Sequence, residues 1–375
     1  MPAYLDHAAG GPMRCEAAQA MRPWLEGRFG NPSGAPRAAR AARAALDDAR
    51  DTLADILGMP PGGVLFTSGG TESDNLAVLG SLAARPGAVV VSAVEHPAVI
   101  EAAVASGEDL RVAPVGPDGV VDLDSLRGLL DPDVSLVSVQ AANQETGVIQ
   151  PLSRVANLVR RRAPNALLHT DAVQAAQWTD LAEAASAADM VSVSGHKWGG
   201  PQGIGVLGVR GHPRLRPVLY GGGQERELRS GTQNVAGAVG LAAAARASVA
   251  SRAESCRRVS AMRDELSGRL RASLPAFVET GSGSNRTPGH LHLVLPGIES
   301  EALLVLLDEA GVCASAGSAC ASGALEPSPV LLAMGATKED AMSTLRLTLG
   351  PSTTFDEIDF AARAIPEAVA RLSGG

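Results

Sequence analysis

Apolar positions along the first two thirds of the chain follow two alternating rhythms. Short β-rich runs at 64–66, 88–92, 110–113, 134–139, 166–170, 190–194 and 204–209 predict strands. Helical stretches separate most of them. Between Arg37 and Leu57, the residues Ala42, Leu46, Ala49, Leu53 and Ile56 recur at helical spacing, and Gly58 predicts the stop. A glycine turn after Phe66 leads into a helix from about Glu72. This alternation predicts an α/β fold with a mostly parallel sheet covered by helices. An alanine-rich helical pattern from Gln233 to about Leu274 leads out of it. Beyond lies a second pattern, strand at 290–294, helix at 299–311, strand at 344–349 and a last helix from Phe355, which predicts a smaller α+β domain. The segment from Ala314 to Pro329 is rich in Ala, Ser, Gly and Pro and has no apolar period, so it predicts a long loop.

A length of 375 residues fits two domains. The expected division is a large domain over 13–250 and a small one built from 1–12 and 251–375, carrying the loop at about 314–329. With 19% charged and 3% aromatic residues, the core must be mostly Ala, Val and Leu. The formal net charge of -8 argues against a nucleic-acid or anionic-membrane binder. Local arginine clusters (Arg37, Arg40, Arg43 and Arg160 to Arg162) read as solvated helix faces. The N-terminal residues show no signal peptide, and no apolar run approaches the ~18 residues of a membrane span. A cytoplasmic protein is expected. Cys15, Cys256, Cys313 and Cys320 have neither metal-ligand spacing nor a disulfide framework, so free thiols and no metal site are expected.

The chemistry concentrates in a few segments. Lys197 ends Ser194-Gly195-His196-Lys197 after one apolar run, and Asp171 follows another. Pyridoxal phosphate needs such a pair, a lysine for its aldehyde and a carboxylate for its pyridine nitrogen. A surface lysine and a helix-capping aspartate are an even alternative on these segments alone. Ser68-Gly69-Gly70-Thr71-Glu72, between strand and helix, suits a phosphate cradle, although a plain turn with Thr71 as N-cap is the simpler reading. His96 follows a strand and could stack on a planar ring and move protons, or merely cap a helix. Asp171 and Gln174, three residues apart, would meet at one place if a helix starts there. Cys320 sits among small residues in the long loop, unlike a core cysteine, and is a candidate nucleophile. Cys313 fits a structural role better. Arg346 lies inside an apolar strand and needs an anion, either a substrate carboxylate or an internal partner.

In sum these segments resemble the cysteine desulfurases, pyridoxal-phosphate enzymes of the class V aminotransferase group with fold type I. The resemblance runs from Tyr4-Leu5-Asp6-His7-Ala8-Ala9 through Gly30-Asn31-Pro32-Ser33 and Phe66 to Asn75. It continues through Glu95-His96, Gly147 to Pro151, His169 to Gln174, Ser194 to Lys197, Gly200 to Gly205, Gly221 to Glu225, Arg229 to Thr232 and Gly317 to Ser322. It implies a large domain with a seven-stranded, mostly parallel sheet. It implies that Lys197 carries the cofactor, Asp171 pairs with the pyridine nitrogen, Gln174 approaches the phenolic oxygen and His96 stacks on the ring as acid–base. Gly70, Thr71, Ser194 and His196 would hold the phosphate, with Thr232 from a second subunit of a homodimer. Arg346, with Asn31, would bind the substrate carboxylate.

The implied reaction converts L-cysteine to L-alanine and leaves a persulfide on Cys320. A sulfur-acceptor protein, an iron-sulfur scaffold or other carrier, would then take the sulfur. Selenocysteine lysis and aminotransfer are the rivals on the same cofactor, and a non-catalytic scaffold is the rival of another class. The chain departs from the family pattern at Gln144, where asparagine is usual at the phenolic-oxygen contact, at Gly10 and at Gln202. It stops at Gly375, without the C-terminal extension of many housekeeping members, which leans toward a specialised member such as one serving nitrogenase.

Overall fold

The computed structural model describes residues 2–211, 214–274, 276–317 and 326–373. Its strands are β1 (Ala3–Tyr4), β2 (Val64–Thr67), β3 (Ala88–Ser92), β4 (Leu110–Ala113), β5 (Val134–Ser138) and β6 (Leu167–Asp171). They continue with β7 (Met190–Ser194), β8 (Gly205–Val209), β9 (Val278–Glu279), β10 (His290–Val294), β11 (Val312–Cys313) and β12 (Thr344–Thr348). Seven of these form one sheet in the order β2-β8-β7-β6-β5-β3-β4. It is parallel from β7 to β4, while β8 runs antiparallel to both β7 and β2. The expected mostly parallel seven-stranded sheet is therefore present.

Its central strands are buried on both faces, which is why they read as continuous apolar runs. On β3, Val90 packs with α2 (Arg37–Leu57), α6 (Leu152–Arg162) and part of α8 (Val235–Ser273), beside Leu46, Leu53, Val155 and Leu241. Val89 and Val91 face the opposite layer, with Leu76 and Val99 from α3 (Gly70–Ala84) and α4 (Pro97–Ala105). Gly58 ends α2 in the left-handed conformation, φ 61°, at low steric cost because it lacks Cβ.

Helix α8 has 39 residues, about 58 Å at 1.5 Å per residue. Its first half packs on the sheet through Ala238 and Leu241. Its second half carries Val259, Met262, Leu266 and Leu270 into a separate core with Leu5, β10, β12 and the final helix (Phe355–Ser373). Strands β12, β10 and β9 make a three-stranded antiparallel sheet there, and β1 pairs with β11 in parallel.

Two local expectations change. No helix starts at Asp171; residues 173–178 form turns instead. The Ala172 N–H is bonded to the Ser192 carbonyl and the Val173 N–H to Asp171 Oδ1, so the chain leaves the sheet in a tight turn. Helix α3 starts at Gly70 with Gly69 as N-cap and no side-chain cap, so Thr71 is not the N-cap.

Candidate active site

Because β2 and β7 point the same way as β3, β5 and β6, the ends of all five strands release their loops at one edge of the sheet. Ligands gather at such an edge in open α/β sheets. There a cavity of about 240 Å³ is bordered by Gly70, Thr71, His96, Gln144, Asp171, Gln174, Ser194, His196 and Lys197. Nine of the thirteen residues expected at the site thus meet in one place. Asp74, Gln140 and Ala142 also border it.

At one end β2 turns into α3. Gly205 on β8 lies so close to the Gly69 backbone that a Cβ there would come within 2.6–2.8 Å of it, so glycine lets the turn sit against the sheet. The first N–H groups of α3 lack intrahelical partners and carry the positive end of the helix dipole. Beside them, Ser194 Oγ lies 2.9 Å from His196 Nδ1. Hydroxyl, imidazole and helix N-terminus together suit a phosphate.

At the other end Lys197 sits in a short turn, 195–197, after β7. Burial lowers its pKa and Asp171 opposes that, leaving the amine below its ordinary range. A larger share of it is therefore neutral and nucleophilic. Asp171 is buried at the end of β6, its pKa raised by burial and pulled back by His96 and Lys197. His96 caps α4 and borders the cavity as well. Its Nδ1 accepts from the Ala98 N–H at 3.1 Å, which leaves Nε2 to carry the proton of the neutral ring. Burial also lowers its pKa.

Gln174 has its amide N–H₂ on the Ala8 carbonyl at 3.0 Å. Gln144 Oε1 is buried with no hydrogen-bond partner among the described residues. A buried amide oxygen without a partner among the described residues asks for a donor, and the Nε2–H₂ of the same amide can donate to a ligand oxygen. These groups fit pyridoxal phosphate: an amine for the aldehyde, an acid for the ring nitrogen, an amide for the ring oxygen and donors for the phosphate. The lysine also borders a second cavity of about 450 Å³ with His7 and Arg14.

The remaining four expected residues are placed differently. Arg346 is buried on β12, where Nη2 pairs with Asp6 Oδ1 at 2.7 Å and Nη1 donates to the Gln144 carbonyl at 3.0 Å. Of its two expected roles, the internal ion pair is the one present, and Nε remains without a partner among the described residues. Asn31 is exposed, and its Oδ1 accepts from the Ser33 N–H rather than bordering the cavity. Its turn holds the amide away, so within one chain it does not meet the site. Thr232 is likewise exposed and remote from the cavity in its own chain. Cys320 lies outside the described residues.

Two acids were missed by sequence reasoning, Asp74 and Glu95. Glu95 is buried, Oε1 accepts from the Gln140 N–H at 2.6 Å, and burial pushes its pKa up to about 8. The available signal was an acid on the apolar face of α3, among Ser73, Ala77 and Val78, and another directly before His96.

Comparison with known proteins agrees with this geometry. Residues 3–360 match the family Aminotransferase class-V. The IscS-like cysteine desulfurase of Mycobacterium tuberculosis is 40% identical, covering 98% of this chain and 96% of that one. The cysteine desulfurase NifS of Azotobacter vinelandii is 40% identical, covering 98% and 93%. A solved NifS-like protein superposes with a TM-score of 0.91 at 31% identity, covering 99% of this chain and all of the other. A lysine, an acid, an imidazole and a glycine turn at one sheet edge, on a match spanning nearly the whole length, place this chain in the class-V aminotransferase family.

Proposed function

We propose that the chain is a pyridoxal-phosphate-dependent cysteine desulfurase that converts L-cysteine to L-alanine and takes the sulfur onto Cys320. The observation that carries the reading is the convergence of Lys197, Asp171 and His96 on one cavity with the amide of Gln144, whose Oε1 has no partner among the described residues. Relatives named cysteine desulfurase support the choice of substrate. When bound, pyridoxal phosphate supplies an electron sink for the carbon attached to the substrate nitrogen.

The chain's residues do the rest. Gly70, Thr71, Ser194 and His196 hold the phosphate, and Asp171 keeps a proton on the ring nitrogen. Gln144 takes the ring oxygen, with Gln174 beside it, and His96 covers the ring. The Lys197 amine removes and returns the substrate α-proton. Arg346, fixed by Asp6, directs its free Nε–H toward the substrate carboxylate. The Cys320 thiolate then forms an S–S bond to the substrate sulfur as the C–S bond breaks. The electron pair stays with carbon, which is protonated to give alanine. A sulfur-acceptor protein of iron-sulfur cluster or other thio-cofactor assembly discharges the persulfide. Thr232 completes the phosphate site of a second copy in a homodimer; the exposed Leu219 and Tyr220 nearby suit such an interface.

Two variants test this. Cys320→Ala is expected to keep the visible absorbance of the lysine-bound cofactor and respond to added cysteine, while alanine formation falls about 100-fold or more. Lys197→Ala is expected to lose both absorbance and turnover. Alanine formation at the ordinary rate by Cys320→Ala would sink the assignment.

A further inference from the structure

Behind Asp171 lies a second carboxyl that the proposed chemistry leaves without a task. Asp74 faces inward from α3, 1% exposed, and borders the cavity. Its Oδ1 has no hydrogen-bond partner among the described residues. The group nearest to a counter-ion there is His169, with Nε2 3.6 Å away. That imidazole is not a cation: burial pushes its pKa down to about 3. Its ring nitrogens instead meet hydroxyls, Nδ1 with Ser138 Oγ and Nε2 with Ser192 Oγ, each at 2.9 Å.

Oxygens of Asp74 and Asp171 and a ring nitrogen of His96 all lie within 4.8 Å of one another. Two carboxylates this close in a dry site cannot both be ionised. The environment decides between them. Asp171 faces Lys197 and His96, which favour its charge. Asp74 faces Glu95, Asp171 and the neutral His169; His96 lies within 4.8 Å of both acids, so the difference between them is Lys197, which acts on Asp171. A buried carboxyl without a cation takes up a proton.

We infer that Asp74 carries a proton and positions Asp171 from behind as a neutral acid, so that Asp74, Asp171 and Glu95 together hold one negative charge, directed at the cofactor's ring nitrogen. Asp74 is thus a positioning residue that acts through Asp171, and the inference rests on the pyridoxal-phosphate reading. The direction of its pKa agrees, since burial, then Asp171, and also Glu95 raise it against the hydrogen bond from Ser192. Glu95, pushed up to about 8 with Oε2 unpartnered among the described residues, is the third acid and is mostly neutral near neutral pH.

Infrared difference spectroscopy of the purified holoenzyme at about pH 9.5, where Glu95 is ionised, tests the inference. The wild type is expected to show a protonated-carboxyl stretch that Asp74→Asn removes and Asp171→Asn retains. Asp74→Asn keeps a neutral group of the same shape. It should leave the pH midpoint of the visible band within about 0.3 unit and cofactor affinity within about threefold. Asp74→Ala, lacking the donor, should weaken cofactor binding about tenfold, read by fluorescence titration of the stripped protein.

A stretch that survives Asp74→Asn puts the proton elsewhere and overturns the inference. So does a midpoint lowered by a full unit in that variant, the mark of a lost charge. Should Asp74→Asn fail to fold, the wild-type and Asp171→Asn spectra decide, because absence of the stretch from either overturns it. Failure of the cofactor reading is distinct: the wild type would then have no visible band, whereas the stretch needs no cofactor.

Discussion

At the level of single residues the site is built from groups with two duties. His96 caps a helix with Nδ1 and lends its ring to the cavity. Gln144 fixes Arg346 with its backbone carbonyl and keeps its side-chain amide for the ligand. Separate atoms serve the two tasks of Gln144, so they can be separated by mutation. Gln144→Ala retains the carbonyl and loses the amide. It is expected to weaken cofactor binding about tenfold, one hydrogen bond's worth, while the KM for cysteine changes less than threefold or so. Equilibrium titration with pyridoxal phosphate and steady-state kinetics at saturating cofactor check this; a large rise in KM alone would show that the side chain, not the carbonyl, supports Arg346. Lys197, Asp171 and His96 were legible because each follows an apolar run, and Gln144 only through the family resemblance. Asp74 was not, because an acid one turn into a helix reads as exposed unless the other helix face is known to be the solvated one. Arg346 was legible only as a residue in need of an anion; Asp6, 340 residues away in sequence, could not be named.

Among the elements, the strands were readable because both faces of the sheet are covered, whereas the turn after Asp171 was not. Residues 172–176 have helical composition and Asp171 Oδ1 accepts from the Val173 N–H as a cap would, yet the chain closes only turns, with the Ala175 and Ala176 N–H groups both on the Ala172 carbonyl. A second irregular segment also went unseen. Glu225, Arg226 and Glu227 have φ of 45°, 59° and 65°, three successive non-glycine residues in the left-handed region. Each costs about 1 kcal/mol or more, so other contacts must hold them. Glu225 does so: both carboxylate oxygens meet Arg50 at 2.8 Å, and it also accepts from the Phe66 N–H at 3.0 Å and from Gln233 Nε2 at 3.0 Å. The turn thereby ties the segment carrying Thr232 to α2 and β2. Glu225→Ala leaves Arg50 without its partner and is expected to cost about 3–5 kcal/mol in urea unfolding. Arg226→Gly, which relieves a left-handed residue, should raise stability by about 0.5–1 kcal/mol. Stabilisation by the first or destabilisation by the second would show that the turn is not held as described.

Across the whole molecule, burial of ionisable groups makes stability depend on pH in two opposed ways. Burial lowers His169, His290 and His292 to about 3 and His7 to about 4. In the unfolded chain they take up protons near 6.5, so each removes stability as pH falls from there. Buried acids act in the other direction. Glu95 keeps its proton in the folded protein up to about 8, whereas the unfolded chain loses it near 4.5. Its neutral form therefore supports folding fully below 4.5, and that support is lost as pH rises through about 8. Between about 7.5 and 8 the buried histidines are largely neutral in both states, leaving the acids to set the slope. Stability is thus expected to fall with rising pH over this window. Glu95→Gln keeps the acceptor for the Gln140 N–H but cannot ionise, so it removes one proton from the difference between the two states. Relative to wild type its stability should rise by about 1.4 kcal/mol per pH unit from 6.5 to about 7, and by about half that near 8, where Glu95 is itself half ionised. Urea unfolding of both proteins at several pH values measures this, and a difference that stays constant from 6.5 to 8 would mean that Glu95 is already ionised in the fold.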